Sequence, residues 1–193
     1  DHILNHRNPH FGKRWKDIDD VVWAWELQSE PEYLWGQEDY VGPWLDEMAT
    51  HVKRIDPDTY VALGTAGWEG LGNIRDADIY TIHWYASPDG LARSIRQFQN
   101  EIGSRYGKLL LVEEFNPLFV TGAAPEYSER DHTSDKKSQF EAIMEECRRN
   151  KVPWMFWEYG YWCDADDIWH ANRTILQGGT GQAYFDGILW GAK

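Results

Sequence analysis

The chain has 193 residues, with 32 acidic against 19 basic side chains and a formal net charge of −13. Such acidity opposes nucleic acid and anionic membrane as partners, and no apolar run reaches the roughly 18 residues of a membrane span. The length suffices for one domain with a substantial core, and 12 tryptophans supply flat faces that either fill a core or stack on neutral sugars.

In chain order, Asp1–Arg7 reads as the end of a helix, since Pro9 disfavours helical backbone at Asn8. Val21–Gln28 is rich in β-branched and aromatic residues and is expected as a buried strand. Pro31 has no N–H to extend a ladder, so Glu30 is the last side chain offered at that strand's C-terminal end. Trp44, Leu45, Met48, Val52 and Ile55 form a stripe at helical spacing, with Pro43 placed in the first turn. Strands are predicted at Tyr60–Gly64 and Ile79–Tyr85, then a helix over Leu91–Tyr106 with Ile95, Phe98 and Ile102 inward. Lys108–Glu114 repeats the earlier pattern, an apolar run ending on the carboxylates Glu113 and Glu114. After a turn-rich loop at Asn116–Ser134, Phe140, Ile143, Met144 and Cys147 mark a helix. Val152–Trp157 is the last strand, and Tyr184–Trp190 a final helix.

Five strands alternating with helices predict a parallel sheet with crossover helices. A closed barrel of eight such units needs about 250 residues, so the chain falls short by roughly three units. Two buried strands ending in Glu place two carboxyl groups on the C-terminal rim, where such barrels keep their chemistry. Paired carboxyls are what glycoside hydrolysis requires. In a regular strand Glu113 alternates away from Glu114, which puts it outside the barrel beside an Arg or Lys. Glu26 falls on the same face as Glu30, one pleat deeper, as a structural carboxylate that needs a partner. Trp23, Trp25, Tyr80 and Leu110 are expected to face the barrel interior. Trp35, Trp84 and Trp162 are candidate sugar platforms.

Cys147 and Cys163 could be bridged or both reduced, and their spacing does not match a zinc site. Asp164, Asp166 and Asp167 lack the glycine turn of a calcium loop and read as a solvated acidic loop. No metal and no cofactor are expected. Asn172-Arg173-Thr174 fits the N-glycosylation pattern and leans toward a secreted protein.

The order Trp25-Glu26-Leu27-Gln28-Ser29-Glu30-Pro31, Ile82-His83-Trp84-Tyr85, Val112-Glu113-Glu114-Phe115 and Phe156-Trp157 resembles clan A glycoside hydrolases. Family 5 is the nearest, and within it the endo-β-1,4-mannanase-like branch. The stretches Gly12–Asp17 and Ala62–Gly70 look like the same branch. The resemblance implies a (β/α)8 TIM barrel of which this chain supplies about strands 4–8. Residues 1–193 are then the C-terminal part of a single catalytic domain. It implies Glu30 as acid/base at the end of the fourth strand and Glu114 as nucleophile at the end of the seventh. His83 and Tyr85 become supports on the sixth strand, and Trp157 the platform beneath the reactive sugar. Ser29 departs from the family pattern, which has there an Asn holding the sugar 2-hydroxyl.

The function so implied is retaining hydrolysis of a β-1,4-linked polysaccharide, mannan favoured, by a secreted enzyme. An exo-acting β-glycosidase or a β-glucanase of the same clan is the alternative among enzymes. A catalytically silent carbohydrate-binding relative is the alternative outside them. A companion N-terminal segment of the same product, separate or nicked, is expected to bring the first three strands and an arginine beside the nucleophile.

Overall fold

The computed structural model describes residues 1–18, 21–31, 38–115 and 135–156. A short helix, His2–Asn5, leads into an antiparallel hairpin of β1 (Arg7–Asn8) and β2 (Lys13–Arg14). The asparagine at the turn closes it, since the Asn8 carboxamide oxygen accepts the N–H groups of His10 and Phe11.

The main sheet has the order β3 (Ala24–Glu26), β4 (Tyr60–Ala62), β5 (Ile79–Trp84) and β6 (Leu109–Phe115). Every pair is parallel. A fifth segment joins beyond β6 through a parallel bridge between Val112 and Trp154. Its hydrogen bonds run from Val112 N–H to the Pro153 carbonyl and from Met155 N–H to the Val112 carbonyl. The five expected strands are thus all placed, though β3 is shorter than its apolar run.

One face of the sheet packs against helices. Val61, Leu63, Tyr80, Ile82, Leu110 and Val112 meet Leu45, Ala49, Leu91, Ile95, Phe98 and Ile143 in a single core. The other face is built from smaller side chains, Ala24, Ala62, Ile79 and Leu111. That division corrects three inward placements. Trp25, Tyr80 and Leu110 lie on the helix side, because alternation from Ala24, Ile79 and Leu111 leaves them there. Polar tips confirm the setting: Trp25 Nε1 donates to Asp56 Oδ2 at 2.7 Å, and the Tyr80 hydroxyl donates to the Gly72 carbonyl while accepting Ile74 N–H. Trp23 is 57% exposed and meets Tyr60 edge-on.

The helices differ from expectation mainly at their ends. The first long one spans Glu38–Ile55 and carries Pro43 inside rather than in its first turn. The next, Pro88–Phe98, starts at Ser87, whose Oγ accepts Gly90 N–H, with Pro88 in the first turn. It widens into a π-turn at Gln99–Gly103 and ends past Tyr106 at Gly107, which takes φ +69°. Ile95, Phe98 and Ile102 are buried as their spacing predicts. Asp135–Asn150 buries Phe140, Ile143 and Cys147. Trp35, Trp157, Trp162, Cys163, the acidic triplet, the glycosylation tripeptide, the 116–134 loop and the Tyr184–Trp190 helix lie outside the described residues. Among those described, no helix is long and apolar enough to cross a membrane.

Candidate active site

The segment after β3 carries Glu30 to the rim. Leu27 N–H bonds the Ala62 carbonyl, and Glu30 N–H bonds the Gly64 carbonyl at 2.7 Å. Gly64 takes φ +75°, and its α-carbon is so close to the Gln28 carbonyl that any side chain would collide. Glu30 itself has φ +48°. A non-glycine residue there costs of order 1–3 kcal/mol, a strain that clusters at functional sites.

From β5, alternation sends Thr81 and His83 to the small-residue face, with Tyr85 next in line. The His83 N–H is fixed on the Ala66 carbonyl. The register with β6 then slips: Ile82 pairs with Val112, but His83 pairs with Glu114. Glu113 is the extra residue of this bulge, and both glutamates therefore reach His83. The expectation that Glu113 points outward to an Arg or Lys is corrected. It is 9% exposed and hydrogen-bonds with His83 and Glu26.

His83 is the hub. Its side chain is 2% exposed, with Nδ1 at 2.6 Å from Glu30 Oε1 and 3.4 Å from Glu114 Oε2. Its Nε2 lies 3.4 Å from Glu113 Oε2. The Tyr85 hydroxyl donates to Glu114 Oε2. Burial alone would push the imidazole down, but the hydrogen bonds to Glu113 and Glu30, with the charge of Glu114, lift it from 6.5 to about 9. Burial likewise pushes Glu113 up, yet hydrogen bonds with His83 and Glu26 and the charge of His83 hold it below the ordinary carboxylate range. Glu26 is driven the other way, from 4.5 to about 8, first by its hydrogen bond with Glu113 and then by desolvation.

One carboxylate oxygen of Glu30 and one of Glu114 lie within 4.8 Å of each other and of the imidazole. That spacing suits a carboxyl pair flanking one sugar carbon. Three such donors also lie close enough to share a cation. Ser29, beside Glu30, is exposed, and its carbonyl accepts the Gln28 side-chain amide. Trp84 is not brought to the site. Alternation turns it to the helix side, where Nε1 donates to the Ser87 carbonyl and the ring abuts Gly90. The inward turn of Glu113 had no sequence signal beyond the doubled glutamate at a strand end.

A sheet of parallel strands with crossover helices and carboxylates gathered at the strand ends is the arrangement of part of a (β/α)8 barrel. No protein-family model matches the chain. It is similar to mannan endo-1,4-beta-mannosidase 1 of Oryza sativa subsp. japonica, 36% identical over 75 residues, covering 37% of this chain and 16% of that protein. It is also similar to endoglucanase E-5 of Thermobifida fusca, 23% identical over 176 residues, covering 81% of this chain and 32% of that one. Among solved structures, the endo-beta-1,4-mannanase of Thermotoga petrophila superposes with a TM-score of 0.56 at 20% identity, covering 86% of this chain and 42% of that one. The glycoside hydrolase family 5 mannosidase of Rhizomucor miehei gives 0.57 at 20% identity, with 82% and 44% covered. The resemblance read from the motifs therefore holds for the fold. The chain spans 16% and 32% of the length of these two curated relatives.

Proposed function

We propose that the protein is a retaining glycoside hydrolase of β-1,4-linked polysaccharide, mannan favoured, with Glu30 as acid/base and Glu114 as nucleophile. The observation that carries this reading is the pair itself, one oxygen of each strand-end carboxylate lying within 4.8 Å of the other with the His83 imidazole between them. Retaining enzymes hold their carboxyls roughly 5–5.5 Å apart, whereas inverting ones leave room for a water at roughly 6.5–9.5 Å.

In the first step Glu114 attacks the anomeric carbon while Glu30 gives its proton to the departing glycosidic oxygen. In the second, Glu30 takes a proton from water, whose oxygen displaces Glu114 and restores the configuration. The His83 imidazole and the Tyr85 hydroxyl both face Glu114 and hold its carboxylate in one orientation. Ser29 stands where it can approach the sugar 2-hydroxyl only with a short side chain, and Trp157 is assigned as the sugar platform from sequence. The names of the rice mannan endo-1,4-beta-mannosidase and the Thermotoga endo-beta-1,4-mannanase favour mannan; the Thermobifida endoglucanase keeps β-glucan as the second reading.

Among the described residues β3 pairs on one side only, and Val21 and Trp23 beside it are exposed. We assign that edge to further strands from an N-terminal segment of the same product, residues 1–193 forming the C-terminal part of one catalytic domain. A polymeric substrate places the enzyme outside the cell, hence secreted. The test is azide rescue. Glu30→Ala and Glu114→Ala are each expected to lose activity by at least the roughly 10²–10⁴-fold of general acid catalysis. With azide and an activated substrate, the Glu114 variant yields an inverted glycosyl azide and the Glu30 variant a retained one. Near-parent turnover by both variants on mannan or glucan would remove the assignment, and binding without any turnover in the parent protein would favour a silent relative.

A further inference from the structure

Beneath the pair that touches the sugar lies a second pair of carboxyls that the reaction as written does not use. Glu26 ends β3, and Glu113 is the bulged residue of β6. Their side chains are hydrogen-bonded to each other. Two ionised carboxylates are acceptors only, so a hydrogen bond between them requires one proton held in common. We propose that Glu26 and Glu113 are a proton-sharing pair that acts on the glycosidase reaction through His83, fixing the ring and the proton on its far nitrogen. The inference rests on the function proposed above and adds two positioning residues to it.

The geometry says where the proton resides. Glu113 is 9% exposed and faces His83 Nε2 at 3.4 Å, while the Thr81 hydroxyl below it gives its proton to the Thr65 carbonyl. Glu26 is exposed and has Glu113 as its hydrogen-bonding partner. The imidazole nitrogen faces Glu113 and not Glu26, so Glu113 keeps the negative charge and Glu26 keeps the proton. An ionised Glu113 on Nε2 then obliges the ring to carry a proton there. The opposite nitrogen, Nδ1, is thereby aimed at both Glu30 and Glu114. A hydrogen bond to one imidazole nitrogen decides the state of the other.

The bulge is what makes this possible. In an unbroken ladder only one of the two adjacent glutamates faces His83; the extra residue lets Glu114 meet the substrate side while Glu113 stays below. Among the described residues, the titratable groups around His83 are Glu26 from β3, Glu30 from the segment that follows, and Glu113 and Glu114 from β6. Tyr85, on its own strand, acts on it through Glu114. The loop after β4 contributes the Ala66 carbonyl, to the His83 backbone N–H, and no charge.

Glu113→Gln and Glu26→Gln in the full protein separate this from a packing role. Removing the charge at position 113 is expected to lower the proton affinity of His83 by about tenfold or more, an order of magnitude per unit of pKa, read from the imidazole 15N shifts across pH. The alkaline limb of kcat/KM moves to lower pH by the same amount, and kcat falls more than KM rises. Glu26→Gln replaces the shared proton by a permanent amide donor, so it leaves His83 charged at neutral pH. It also removes a protonated-carboxyl C=O stretch from the infrared spectrum at that pH. An unmoved His83 titration in Glu113→Gln overturns the proposal. If that variant does not fold, an infrared band unchanged by Glu26→Gln does so. Neither spectroscopic readout needs turnover, so a parent protein without glycosidase activity would defeat the functional reading and still leave the carboxyl pair decided.

Discussion

A methyl group at position 64 has no space in this fold, and the consequence is transmitted to Glu30. In Gly64→Ala the new Cβ would lie 2.2 Å from the Gln28 carbonyl oxygen, 2.8 Å from its carbon and 2.9 Å from Glu26 Cγ. Ordinary contact begins near 3.4 Å, so the Gln28 carbonyl must retreat by about 1.2 Å. The φ of +75° adds roughly 1–2 kcal/mol for any residue with a side chain, and the backbone collision about 1–3 kcal/mol more. A total of about 2–5 kcal/mol is expected in denaturant unfolding. Activity suffers separately, because Glu30 hangs by its N–H from the Gly64 carbonyl and follows Gln28 by two residues. A displacement on the order of 1 Å costs about 10²-fold in turnover. Gly107→Ala is the control: φ is +69° but nothing lies within 4 Å. It should cost only the roughly 1–2 kcal/mol of conformation and leave kcat alone. Parent-level kcat in Gly64→Ala, or equal stability losses in the two variants, would refute the reasoning.

Phe115→Ala should cost about 3–5 kcal/mol, since the ring is 1% exposed and meets Phe140, Trp154 and Phe156 edge-on; a loss below about 1.5 kcal/mol in the same assay would contradict that packing. Stability should fall as pH rises from about 6.5 to about 9. The folded state holds the His83 proton more tightly than the unfolded chain, so the contribution is complete below 6.5 and gone above about 9. The difference amounts to about 3 kcal/mol. Glu26, raised from 4.5 to about 8, acts in the same sense over its own range. A denaturation midpoint that stays flat or rises over this window would count against the network. Ser29→Asn should raise kcat on mannooligosaccharides, because a contact to the 2-hydroxyl strengthens in the transition state. A lower kcat with unchanged unfolding would mean that the site is built around serine.

Local composition was enough for the strands and their order. Apolar runs punctuated by Pro31, Gly64 and Gly107 mark where each element stops, and parallel pairing follows from the helices between them. The glutamates at the ends of the first and fourth runs were legible for the same reason: a carboxylate after a buried strand lies at a rim. Tyr85 came with His83 from the resemblance of the Ile82–Tyr85 motif, and residues two apart on a strand share a face. The buried stripe Ile95, Phe98 and Ile102 followed from helical spacing in the same way.

Which face is which was decided only in three dimensions. A period of two tells that Trp25 and Glu26, or His83 and Trp84, point apart, but not which of each pair meets the helices. Large side chains such as Trp25, Tyr80 and Leu110 went to the helix side, where Leu45, Leu91 and Phe98 leave room for them. The opposite face took Ala24, Ala62, Ile79 and Leu111. The position of Glu113 was further out of reach. It depends on a slip between β5 and β6, strands about thirty residues apart in sequence, and a bulge is a property of that pairing and not of either strand. The sequence by itself therefore determined which elements form and which carboxylates stand at their ends. The tertiary register decided that Glu113 turns inward beneath His83, because only the partner strand can count the extra residue.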